Sequence, residues 1–90
     1  MGQYVISYDL HQAGRDYEKI KKGVHSLSDY VKILESVWLV NHPYTAAQIR
    51  DHLRVFMDDN DSIMVIEIGT NWATWNCNAA AMAWLKGHRP

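Results

Sequence analysis

The sequence predicts an α+β domain in which a four-stranded antiparallel sheet carries two helices on one face. Three observations predict it. Strand-forming runs of β-branched and aromatic residues recur near 4–8, 30–40 and 62–68. Two stretches with helical apolar spacing separate them. And 90 residues suffice for one hydrophobic core.

YVISYDL opens the chain. Tyr4, Val5, Ile6 and Tyr8 suit a packed strand, yet the run ends on the carboxylate of Asp9. After a short loop from His11 to Gly14, Tyr17, Ile20, Val24 and Leu27 recur at helical spacing, with Lys19, Lys21 and Lys22 outward. Asp16 and Glu18 place negative charge at the positive end of the helix dipole, so a helix is expected over 15–27. DYVKILESVWLVN then reads as two short strands or one kinked strand, with Glu35-Ser36 as the break. Pro43 disfavours helix at His42, and Thr45 with Gln48 three residues on forms a capping box. Ile49, Leu53, Phe56 and Met57 extend an apolar face from it through residue 57. DDND is a turn and SIMVIEIG the last strand, 62–68.

The order is β-α-β-β-α-β. Right-handed crossovers place both helices on the same side of the sheet, which gives a ferredoxin-like sandwich with its first and third strands central. Residues 1–69 form this core. Residues 70–90 continue the same domain as an aromatic loop and a C-terminal helix: Asn78 as cap, three alanines, Lys86 in the last turn and Gly87 beyond. Ala81, Trp84 and Leu85 give that helix a narrow apolar face, and it is expected to cap a sheet edge or cover the open sheet face.

Nine basic residues face ten acidic ones, for a net charge of -1. Bulk charge therefore cannot grip a duplex, whose binding rests on neutralising phosphates. A single cysteine, Cys77, excludes an intrachain disulfide and a cysteine metal pair. No leader-like segment opens the sequence and no apolar run approaches the ~20 residues of a membrane span. These features together predict a soluble cytoplasmic domain.

The ordered set Tyr8-Asp9, Arg15, Ser36-Val37-Trp38, Gln48 through Leu53, and Asp61-Ser62-Ile63 resembles two related families. One is the small CRISPR-associated protein of spacer acquisition, Cas-two; the other is the VapD toxin ribonucleases. The likeness covers roughly residues 3–69. It implies a ferredoxin-like homodimer with the two sheets face to face, in which the aspartate ending the first strand lies beside its mate and binds Mg²⁺ or Mn²⁺ for phosphodiester cleavage. Asp9 matches that aspartate. Two features depart from the family. Cas-two chains continue into a fifth strand that crosses to the partner's sheet, where this chain reads as a loop and helix, and this chain is not basic.

Alternation along the first strand puts Val5, Ser7 and Asp9 on one face and Tyr4, Ile6 and Tyr8 on the other. If Ile6 and Tyr8 pack on the helices, Asp9 faces the open side, where a twin could approach. Two such carboxylates repel unless a proton or cation intervenes, and a hard dication takes oxygen ligands. The other reading of Asp9 is a loop cap or a pair with Arg15. Ser7 and His11 are the supporting catalytic candidates, His11 as a proton carrier near neutral pH. Arg15 is placed to hold a phosphate and Trp38 to stack on a base; a solvated loop and a core or dimer contact are the respective alternatives, and packing is preferred for Trp38. DDND lacks the glycine and distal glutamate of a calcium loop and reads as a solvated turn. Trp72, Trp75 and Trp84 are expected to be buried against the sheet or a partner. His25, His42, His52 and His88 show no metal-ligand spacing, and Cys77 has no activating neighbour.

The sequence and the resemblance together lead to a homodimeric nucleic-acid protein acting on RNA or single-stranded DNA as a Mg²⁺- or Mn²⁺-dependent endonuclease; an integrase or antitoxin partner is left unassigned. The alternative is a catalytically inert dimerisation module of the same fold.

Overall fold

The computed structural model describes residues 1–11 and 17–88. Strand β1 (Gly2–Asp9) leads to helix α1 (Tyr17–His25), the hairpin of β2 (Tyr30–Leu34) and β3 (Val37–His42), helix α2 (Ala46–Arg54), strand β4 (Ser62–Glu67) and helix α3 (Ala79–Gly87). The four strands form one antiparallel sheet in the order β2-β3-β1-β4. The protein is therefore α+β, with β1 and β3 central, and the arrangement is compatible with a ferredoxin-like fold. Among the described residues no helix is long and apolar enough to cross a membrane.

Alternation along β1 feeds two cores. Tyr4, Ile6 and Tyr8, with Trp38 and Val40 of β3, pack beneath Ile20 and Val24 of α1 and Ile49 and Leu53 of α2. Gly23 is needed where the helices meet, because a Cβ there would lie 2.6 Å from the Phe56 ring. On the second face Leu39 packs against Trp84 and Leu85 of α3, with Val5, Val31, Ile33 and Trp72 around them. Each fully buried aliphatic side chain contributes roughly 1.5–3 kcal/mol.

The helix ends follow their sequence signals. Thr45 accepts from the Gln48 amide and Gln48 returns the bond to Thr45, closing the capping box of α2. The helix stops at Arg54, short of the apolar pattern, and Phe56 and Met57 reach the core from the following turn. Asn78 caps α3 by accepting from the Ala81 amide, while its own amide donates to the Lys32 carbonyl on β2. Thus α3 both covers part of the second face and blunts one sheet edge. The hairpin turn falls at Glu35-Ser36: the register slips between Lys32 and Leu34, and Ser36 takes φ 54°, a left-handed value that glycine or asparagine adopts more readily.

A polar chain fastens α3 to the sheet. Asp29 accepts from Trp84 Nε1 at 2.9 Å and from His88 Nε2 at 2.6 Å, and Asn41 links the same carboxylate to Gln3. His88 Nδ1 lies 2.7 Å from the Trp84 carbonyl, and its ring stacks on Trp84. Both ring nitrogens thus face acceptors, so only the imidazolium satisfies both. Burial by itself pushes the His88 imidazole down, but its bonds to the Trp84 carbonyl and Asp29, with the Asp29 charge, outweigh this and hold it above its ordinary value. For Asp29, burial pushes the carboxyl up, and the bonds from His88 and Trp84 and the His88 charge reverse this and hold it below the usual range.

The contribution of His88 is fully present below its unfolded value of 6.5 and fades as pH rises through the elevated folded value. That of Asp29 is present above its unfolded value of 3.8 and fades as pH falls through the lowered folded one. Urea denaturation should therefore find His88→Ala less stable than wild type by about 1 kcal/mol at about pH 5.5, with the gap closing toward about pH 9, since the pair is partly exposed. Thr45→Ala should cost about 1 kcal/mol at any pH in this range.

Candidate functional site

Asp9 stands at the C-terminal end of a central strand because β1 is paired on both edges: opposite Ser62 on β4 at its tip, and opposite β3 from Gly2 through Ser7. Its side chain is 70% exposed. It lies on the second face of the sheet, which α3 covers in part, around Leu39, Val5 and Val31. Beside it, Ser7 sits opposite Met64, and Val5 opposite Ile66. Met64 and Ile66 are 52% and 49% exposed, so the half-face around Asp9 is apolar and open. Ser7, Asp9, Ser62 and Met64 line a shallow depression of about 210 Å³.

His11 comes to Asp9. Its Nε2 lies 3.5 Å from Asp9 Oδ2. The residue that holds it there is Asp61: one carboxylate oxygen accepts from the His11 amide at 2.8 Å, the other from the Asp58 amide at 2.9 Å. These two backbone bonds hold the Asp61 carboxyl below its ordinary value of 3.8, with the His11 and Lys19 charges adding to them. The DDND turn is thus a staple between the β4 entry and the loop after β1. Sequence reading took DDND as a solvated turn; the placement of Asp61 directly before Ser62 and β4 was the signal for this anchoring role.

Of the other candidates, Ser7 shares the Asp9 face and depression, while Arg15 lies outside the described residues. Trp38 requires a correction as a base-stacking platform. It is 4% exposed, on the helix side of the sheet, with His25 and Tyr30 against it and its Nε1 donating to the Tyr8 hydroxyl. The strand alternation that exposes Asp9 buries Trp38, and the ring serves packing. The expectation of buried tail tryptophans holds for Trp84, and Trp72 is half-buried, but Trp75 is 91% exposed. Asn76 beside it takes φ 57°, and the loop turns that indole outward.

Asp9, with its exposed carboxylate oxygens and the Ser7 and Ser62 hydroxyls nearby, offers the hard oxygen donors that Mg²⁺ or Mn²⁺ prefers. Among the described residues no group of three or more His, Cys, Asp or Glu side chains is placed to hold a metal ion. A scan of the sequence against protein-family models finds no match.

The staple yields a direct expectation. Asp61→Asn should speed hydrogen exchange at the His11 and Asp58 amides while leaving core amides of β1 and β3 protected; in the wild type the same loosening should set in as pH falls through the lowered Asp61 value. Unchanged exchange at His11 would remove Asp61 from this role.

Proposed function

We propose that the protein is a ferredoxin-like homodimer, similar to Cas-two and VapD, that cleaves RNA or single-stranded DNA with a divalent cation held between two Asp9 carboxylates. The observation that carries this reading is the position of Asp9: exposed, at the tip of a central strand, on the apolar half-face that α3 leaves uncovered. Apposition of that half-face with its twin would bury Met64 and Ile66 and bring the two carboxylates together.

Two ionised carboxylates at a dyad repel, which makes the pair a receptor for a dication. Asp9 from each copy would hold Mg²⁺ or Mn²⁺, which would supply polarisation of a phosphate oxygen and a water of lowered pKa. His11, whose backbone amide Asp61 holds, sets its Nε2 3.5 Å from Asp9 and would take up a proton there. Ser7 and Ser62 border the depression in which a phosphate would sit. The near-neutral chain favours a single strand, which carries less charge per length than a duplex.

The second reading is an inert dimerisation module. It draws on the Asp9–His11 contact, which already occupies the carboxylate, and on the exposed Trp75 and Met64, which suit protein contact without chemistry.

Thermal-shift titration with Mn²⁺ and Mg²⁺ should stabilise the wild type and not Asp9→Asn. Labelled RNA and single-stranded DNA should be cut in the presence of metal, with activity lost in EDTA and in Asp9→Ala. Equal shifts in wild type and Asp9→Asn, or cleavage that survives Asp9→Ala, would support the inert module and assign any activity to another source.

A further inference from the structure

On the other side of the sheet from Asp9, between the first half of α1 and the β2–β3 turn, lies a cavity of about 380 Å³. That volume falls among those of sites that hold small metabolites, roughly 300–1,000 Å³. Its floor is the joined pair Tyr8 and Trp38, in which the indole N–H donates to the phenol oxygen at 3.1 Å. The phenol proton is left over, and among the described residues no acceptor takes it. Burial, with the charges of Tyr17 and Glu35 adding and the Trp38 bond opposing, holds the Tyr8 hydroxyl above its ordinary value of 10.0, so it remains a neutral donor.

The rim is charged in both signs. Glu18 and Lys21 come from α1, Lys32 from β2 and Glu35 from the turn. Lys32 stands opposite Trp38 in the ladder, with Nζ 5.8 Å from the indole centroid. Among the described residues none of these four charges is in an ion pair. A phosphate compound would meet two carboxylates here, a simple cation would meet two ammonium groups, and an apolar compound would leave all four unanswered. Only a ligand carrying both signs on an apolar body matches the set.

We infer that this cavity binds a small zwitterion of the α-amino acid class. Its carboxylate faces Lys21, Lys32 and the Tyr8 hydroxyl, its ammonium faces Glu18 and Glu35, and its side chain rests on the Tyr8–Trp38 floor. The inference is independent of the Asp9 chemistry, which lies on the other face and uses none of these groups.

Calorimetric titration of the intact protein with the common α-amino acids, L-phenylalanine first, tests it. The expected result is saturable binding of at least one, accompanied by a raised melting temperature. The C-terminal amide and the N-acetyl form of the tightest binder should each bind at least about tenfold more weakly, having lost one charge. Lys32→Met should weaken the amino acid and leave its amide unchanged; Glu35→Gln should weaken the amino acid and leave its N-acetyl form unchanged. Both side chains are exposed, so the unliganded melts should match wild type; if either variant fails to fold, Lys21→Met and Glu18→Gln make the same two comparisons. No saturable binding, equal affinity for the amino acid and its blocked forms, or tighter binding of adenosine monophosphate would overturn the assignment.

Discussion

The two-sided packing of β1 is the constraint on which everything else rests. A strand paired on both edges has nowhere to place an error of register, because a shift by one residue would send Tyr4, Ile6 and Tyr8 to the wrong face. Ile6 is fully buried between the strands and both helices, and its neighbours Val5 and Ser7 are thereby committed to the second face. Asp9 follows as the next residue on that second face. Its exposure is a consequence of the core: the same alternation that buries Tyr8 turns the next carboxylate out.

The second face is divided by α3. The helix seals β2 and β3 with Trp84 and Leu85 and is fastened by Asp29, His88 and Asn41, so half the face is finished as protein interior. The other half, with Met64, Ile66 and Asp9, is covered by no element among the described residues. A small domain gains little stability from a one-sided sheet, and α3 is how this chain supplies a second layer without covering the carboxylate. The cavity at Tyr8 and Trp38 lies on the opposite side, so the two proposed sites fall on separate faces of one shared strand.

Much of the fold was legible because its signals are local. Thr45 and Gln48 mark a helix start within four residues, Asn78 marks another, and the apolar alternation of YVISY fixes a central strand. The position of Asp9 at the end of that strand came from the same alternation. What escaped was long-range or depended on backbone exceptions. Asp29 and His88 are 59 positions apart and carry no shared motif, so their bond appears only once α3 is laid on the sheet. Asp61 reads as one more polar turn residue until its carboxylate is found on the His11 amide, 50 positions away. The Glu35-Ser36 turn is weakly marked because serine occupies the left-handed position that glycine would have announced. Trp38 takes the packing role preferred for it, whereas Trp75 stands out from its loop, an exposure that residue type alone does not encode.

The proposed site requires two copies to bring their Asp9 residues together through the open half-face. Disulfide capture reads that directly, since a disulfide forms only when two Cα atoms come within about 4.4–6.8 Å of each other. In a Cys77→Ser background, Asp9→Cys should oxidise to a covalent dimer in high yield, and adding Met64→Lys on the same half-face should suppress it. A chain that stays monomeric under oxidation, or that cross-links equally with Met64→Lys present, would contradict a shared site at this strand tip.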